Sequence, residues 1–210
     1  MAVFFCNLTQ KTMINKPFSQ ACENNKDPIL QVLDRVFSNT RMVCEIGSGT
    51  GQHACYFAQN LQHILWQPSD KQENLAGISQ WIADAQLQNL RKPVELDVTD
   101  HPWPMRTMDA IFTANTLHIM AWLEVEVLFR RLQEYLLKDS LLCIYGPFNY
   151  NGSYTSASNV QFDVWLKQQN PLSAIRDFEA IEILANKADI QLLEDIAMPA
   201  NNRLLIWQKN

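Results

Sequence analysis

The chain has 210 residues, 47% of them hydrophobic and 19% charged, with a formal net charge of -5. That is enough for one domain with a sizeable core. No apolar stretch approaches the roughly 20 residues of a membrane span, and no dense basic run suits a phosphate polymer, so membrane and nucleic acid are poor partners.

Short β-rich runs alternate with helical patterns, which predicts a parallel sheet covered by helices. Residues 1–26 read as an N-terminal extension. Their apolar run, 2–6, is too short and lacks the basic leader of a signal peptide. Asp27-Pro28 offers an N-cap followed by proline at the first helical position. Ile29, Val32, Leu33, Val36 and Phe37 then recur at helical spacing. A strand is predicted over 42–46, a helix over 52–61, and a second strand over 63–67 that Pro68 stops. A helix over 71–89, a short strand over 93–96 and a fourth strand over 108–114 follow. The helix predicted over 121–137 is strongly amphipathic, with Val125, Leu128, Phe129, Leu132 and Leu136 on one face. A fifth strand over 140–145 closes at Gly146-Pro147. Residues 148–171 are polar and aromatic, with a helix over 158–168, and another helix spans roughly 178–187. Two last strands, 191–197 and 203–208, are close enough in sequence to form an antiparallel hairpin. No internal repeat or low-complexity linker divides the chain, so 1–210 reads as one domain.

The five cysteines, Cys6, Cys22, Cys44, Cys55 and Cys143, are scattered and form no Cys-x-x-Cys pair. Neither a disulfide framework nor a zinc site is expected, and a reducing, cytoplasmic compartment fits. His53 and Cys55 lack further ligands at useful spacing, so no metal is expected.

The sharpest local pattern is Val43-Cys44-Glu45-Ile46-Gly47-Ser48-Gly49-Thr50-Gly51, a strand running into three alternating glycines and then a helix. Glycine lets the backbone turn tightly and a ligand approach without a Cβ in the way. In open α/β sheets the ligand crevice lies at the carboxyl ends of the strands, where strand order reverses. A dinucleotide fingerprint needs its third glycine one residue later, where Gln52 stands. A P-loop needs Gly-Lys-Ser/Thr, and a lipase elbow needs glycine at position 46, where Ile46 stands. A nucleoside ligand without pyrophosphate remains. Asp70, after the second strand, is placed to accept from ribose hydroxyls, and Asp97, in Leu96-Asp97-Val98 after the third, from an adenine amino group.

Glu-x-Gly-x-Gly-x-Gly, with an acid after each of the next two strands, resembles the class I S-adenosylmethionine-dependent methyltransferases. The resemblance implies a Rossmann-like α/β fold: a seven-stranded, mostly parallel sheet with an antiparallel last strand and helices on both faces. More narrowly, the chain resembles a family of small methyltransferase-like proteins of bacteria and animals. Gly-Ser-Gly-Thr-Gly-Gln-His (47–53), Trp-Gln-Pro-Ser-Asp (66–70), Ala-Asn-Thr-Leu-His-Ile (114–119), Ala-Ile-Arg-Asp-Phe-Glu (174–179) and Met-Pro-Ala-Asn-Asn (198–202) carry it, from Pro17 onward. Asn24 departs from it, standing where Glu-Arg-Asn is expected.

The implied cofactor is S-adenosylmethionine, with S-adenosylhomocysteine as product. Its expected contacts are Glu45, Gly47, Ser48, Gly49, Gly51, Asp70, Asp97, Val98 and Asn115. Glu45 either orients the loop around the cofactor's amino group or braces the loop. Asp70 equally serves as a helix N-cap, and Asp97 as the cap of its own turn. His118, just past the fourth strand, is a candidate general base, with a structural role as the alternative. Asn115 is a candidate for ligand or acceptor, or for its own turn. Tyr150, Asn201 and Asn202 are candidates for the methyl acceptor, and Trp122 reads as a packing residue. Residues 148–171, with 198–202, are expected to cover the site. The expected activity is methyl transfer to a small or medium-sized acceptor. The alternative is a non-catalytic S-adenosylmethionine-binding or interaction protein. A nicotinamide oxidoreductase is disfavoured by the glycine spacing.

Overall fold

The computed structural model describes residues 16–106 and 108–210. The apolar run 2–6 and Cys6 lie outside them. The elements are α1 (Gln20–Val36), β1 (Met42–Ile46), α2 (Gln52–Asn60), β2 (Leu65–Asp70), α3 (Gln72–Ala85), β3 (Val94–Glu95), β4 (Met108–Ala114) and α4 (Trp122–Tyr135). They continue with β5 (Leu136–Gly146), β6 (Phe148–Asn149), α5 (Ala157–Gln169), β7 (Arg176–Asp177), α6 (Phe178–Lys187), β8 (Ile190–Met198) and β9 (Asn202–Lys209).

Seven strands form one sheet in the order β3-β2-β1-β4-β5-β9-β8. β9 runs antiparallel to both its neighbours, and the other pairings are parallel. This is the Rossmann-like arrangement expected from the sequence. Strand order reverses at β1, because the chain steps outward to β2 and β3 and then returns to place β4 on the other side.

Each central strand is buried on both faces, and its residues alternate between two cores. Val43, Ala110, Phe112, Cys143 and Leu204 face α1 and α2, meeting Ile29, Leu33, Phe37 and Phe57. Cys44, Ile111, Leu142, Ile144 and Leu205 face α4 and α6, meeting Val125, Phe129, Leu132 and Ile181. Burial on both faces is why these strands read as continuous apolar runs. Among the described residues, no helix is long and apolar enough to cross a membrane.

Several boundaries differ from expectation. α1 starts at Gln20, not at Asp27, with the Ser19 hydroxyl accepting from the Cys22 amide at 3.3 Å. Pro28 lies inside the helix. It removes one backbone bond, to the Asn24 carbonyl, yet the fully buried Ile29, Leu33 and Phe37 hold the helix to the sheet. β2 runs through Pro68. The Trp66 amide points toward Asn89 and the Leu65 amide toward β1, so the missing Pro68 amide faces the β3 side, where pairing resumes only at Ser69. α3 ends at Ala85 because Gln86 takes a left-handed φ of 51°. Asn89 then binds the carbonyls of Ala58 and Ile64. α4 ends at Tyr135 because Leu136 pairs with Met108 and opens an 11-residue β5. A two-stranded pairing, β6 with β7, was not expected from the sequence.

Candidate active site

The loop after β1 is shaped by its glycines. Gly47, Gly49 and Gly51 all have positive φ, at 72°, 57° and 89°. A Cβ at Gly47 would collide with the Thr116 methyl, and one at Gly51 would come 3.0 Å from the Ile78 backbone. A Cβ at Gly49 would meet none of the described residues within 4 Å. Two glycines are therefore required by packing, and the third presents bare backbone to open space.

Glu45 and Ser48 are turned inward. One Glu45 carboxylate oxygen accepts from the Ser48 hydroxyl (3.0 Å) and the Trp66 indole (3.1 Å). The Ser48 hydroxyl in turn accepts from the Ser69 amide at 3.2 Å. Both side chains thus brace the loop against β2, and the Ser48 backbone does the same, its amide donating to the Ser69 carbonyl (3.0 Å) and its carbonyl accepting from the Gly51 amide (2.9 Å). Burial pushes the Glu45 carboxyl up from 4.5 to about 7, against the bonds from Trp66 and Ser48. An acid whose folded pKa is raised is most stabilising below its unfolded pKa, and that contribution is lost as pH rises through the folded value. Glu45→Gln is accordingly expected to stabilise the protein by about 1–3 kcal/mol at pH 8 and hardly at all near pH 4.5. Urea unfolding of both proteins at each pH checks this.

Asp70 is buried at the end of β2. It accepts from the amides of Gly49 (2.6 Å) and Lys71 (2.7 Å) and from the Asn74 side chain (2.8 Å). Three donors occupy three of the roughly four lone-pair positions of a carboxylate, so one acceptor position remains on the oxygen facing Gly49. Bonds to both ribose hydroxyls would need the Gly49 amide or Asn74 to yield. Asp97 caps its own turn, accepting from the Thr99 amide (2.9 Å) and hydroxyl (2.7 Å), and lies 3.2 Å from the Lys71 ammonium. Burial raises its pKa, but Thr99 and Lys71 outweigh this and hold it below the ordinary value. Val98 is buried beside it.

On the other side of the switch point is a cavity of about 370 Å³. The ends of β4 and β5 supply Asn115, Tyr145 and Pro147. α5 supplies Ser158, Asn159 and Phe162, the turn before β9 supplies Pro199, Ala200 and Asn202, and α1 supplies Ala21, Asn24 and Asn25. Asn115 has a φ of 58°, and its side chain bonds to none of the described residues. It is the one residue expected at the cofactor that also lines this cavity.

His118 lies behind that wall. Its ring meets Phe162 edge-on at 5.3 Å and has no hydrogen-bond partner among the described residues. Burial, assisted by the Arg176 charge, drops its pKa to about 4, so the imidazole is neutral at pH 7. The Arg176 guanidinium binds the carbonyls of Leu117 (3.1 Å), Leu172 (3.0 Å) and Met120, fixing the turn that carries His118.

Two acceptor candidates do not line the cavity. The Tyr150 hydroxyl donates to Asp195 at 2.7 Å and its ring stacks on Phe178, which makes it a packing residue between β6 and the last hairpin. Asn201 is exposed and bonds to Ser158 at 3.3 Å, holding the turn to α5. Trp122 packs as expected, its indole bonded to Glu126 at 2.9 Å.

A family model described as "Protein of unknown function (DUF938)" matches residues 16–209, nearly the whole chain. The chain belongs to the DUF938 family. Solved methyltransferase structures share the fold of this DUF938 chain. An O-methyltransferase family protein from Burkholderia thailandensis is 15% identical with a TM-score of 0.78, covering 88% of this chain and 56% of that one. PigF, solved with SAH, is 14% identical with a TM-score of 0.74, covering 87% and 61%. An O-methyltransferase family 2 protein from Planctomyces limnophilus, in complex with apigenin, is 14% identical with a TM-score of 0.71, covering 88% and 62%. The DUF938 chain thus spans somewhat over half the length of these proteins.

The part of the site that sequence reasoning missed is α1. Gln52 accepts from the Ser19 amide (2.6 Å) and donates to Glu23 (2.6 Å), while His53 bonds to Asn25 at 2.7 Å. The two residues after the glycine loop therefore clamp α1 beside the cavity. The available signal was Ser19 as an N-cap with an acid, Glu23, in the first turn.

Proposed function

We propose that this DUF938 chain transfers a methyl group from S-adenosylmethionine to a small or medium-sized acceptor. The observation that carries the reading is one juxtaposition. A glycine loop with bare backbone at Gly49 and a buried carboxylate at Asp70 stands on one side of Asn115, and a cavity of about 370 Å³ on the other. These residues fit the group. Gly49 leaves space that any Cβ would fill, and Asp70 retains an acceptor position, with Asp97 and Val98 following the neighbouring strand β3. When bound, S-adenosylmethionine supplies an electrophilic methyl on a sulfonium.

The protein's own work is mainly positioning. The loop and Asp70 hold the donor, and the cavity walls hold the acceptor so that the reacting atoms approach in line at about 3–3.5 Å. α5 and the turn before β9 act as the cover, excluding water from that line. His118 packs behind Phe162 and does not line the cavity, so the proton of an acceptor hydroxyl, acidified by methylation, leaves to bulk water. With a pKa near 4 His118 is too weak a base to remove that proton beforehand. Arg176 holds the His118 turn.

The test has two parts. Calorimetry should show S-adenosylmethionine or S-adenosylhomocysteine binding, weakened at least about tenfold in Asp70→Ala, since charge-assisted bonds contribute roughly 1.5–3 kcal/mol. Labelled donor should then pass its methyl to a compound in a metabolite extract. Unchanged affinity in the variant removes Asp70 from the site, and binding without any label transfer favours a non-catalytic binding protein.

A further inference from the structure

Among the described residues, the cavity beside Asn115 is amide-rich and carries no charge. These walls include five asparagines, Asn24, Asn25, Asn115, Asn159 and Asn202, and no acidic, basic or histidine side chain. Three charged groups on the elements that line it or pack behind it are already committed. Arg176 is bound to three backbone carbonyls, and Asp163 to Lys167, Tyr154 and the Ile175 amide. Glu23 is held by Gln52 and Lys26.

A charged ligand entering this cavity would shed water and find no opposite charge, which is strongly unfavourable unless the charge is paired. Hydrogen-bonding capacity, by contrast, is present in both senses. The whole Asn115 amide is unengaged among the described residues. Asn24 uses its oxygen on Gln20, leaving its NH₂ group. Asn159 uses its NH₂ group on Thr155 and Asn201, leaving its oxygen. Phe162, Pro147 and Pro199 supply apolar wall between these groups.

We infer that the acceptor is a molecule without net charge, bearing hydroxyl or amide groups on an apolar body, and recognised by asparagine amides instead of ion pairs. This rests on the methyl-transfer reading for the word acceptor, while the charge selectivity of the cavity stands on the geometry alone.

Three matched phenols test it: 4-hydroxybenzamide (neutral), 4-hydroxybenzoate (anionic) and tyramine (cationic), titrated at low ionic strength by ligand-observed NMR. The benzamide is expected to bind at least about tenfold more tightly than either charged probe. Asn24 is exposed on α1, so charges there should not disturb folding. Asn24→Arg should shift preference toward the benzoate, and Asn24→Asp toward tyramine, each by about threefold or more. A charged probe that matches the benzamide, binding by none of the three, or a ranking unmoved by both variants overturns the inference. Calorimetry with S-adenosylhomocysteine on the same samples separates the two claims. If it binds and the ranking fails, the cavity inference falls alone. If it does not bind and the ranking holds, the methyl-transfer reading falls and the cavity remains selective for neutral molecules.

Discussion

Gly49→Val should weaken S-adenosylmethionine binding at least about a hundredfold, close to 3 kcal/mol, and still leave a folded protein. Two glycines of a single loop differ in what surrounds them. At Gly49 none of the described residues lies within 4 Å of a Cβ, so the side chain would enter the proposed donor crevice. The fold loses the strain of a branched residue at a φ of 57°, about 1–2 kcal/mol, or a few degrees in melting temperature. Gly47→Val is expected to behave differently. Its Cβ would run into Thr116, which ties the end of β4 to β1 through the Thr113 hydroxyl and the Ile46 carbonyl (2.8 Å). Loss of native structure is expected there, visible as a low melting temperature before any ligand is added. If Gly49→Val binds the donor normally, the loop is purely structural and the proposed site is wrong.

The second large effect is at Arg176. Its guanidinium is only 8% exposed and satisfies carbonyls from two segments, 117–120 and Leu172. Arg176→Met keeps the apolar stem but leaves those acceptors without a donor. Each buried unsatisfied group costs roughly 1–3 kcal/mol, so a loss of about 3–5 kcal/mol is expected by urea unfolding. Arg176→Lys should recover little of it, because one ammonium cannot reproduce the planar fork. A loss under about 1 kcal/mol would mean that the turn bearing His118 is held by other contacts.

Most of the sheet was legible because its short continuous apolar runs and glycine punctuation are local. β1 and β4 begin and end at the expected residues, and the last hairpin forms as its short connection implied. The failures share one cause, which is that tertiary contacts overrode local signals. Pro28 reads as a helix start, but the helix runs through it because three side chains beyond it are fully buried. Pro68 reads as a strand end, yet its missing amide falls where the neighbouring strand is interrupted. At the site, the glycine loop and Asp70 were recognisable from spacing. Which way Glu45 and Ser48 turn was not, since that depends on the indole of Trp66, 21 residues away. Tyr150, one candidate for the acceptor, turns toward Asp195 and Phe178 and away from the cavity, because a polar aromatic segment says nothing about which face each ring takes.

The clamp of Gln52 and His53 on α1 has a thermodynamic consequence. On the proposed reading, the glycine loop that would hold the donor continues, without a break, into the residues that fix one wall of the cavity. Any effect of one ligand on how firmly that shared wall is held would then be a coupling free energy, the same read from either end. Any gain in acceptor affinity produced by the donor is returned, factor for factor, as donor affinity produced by the acceptor.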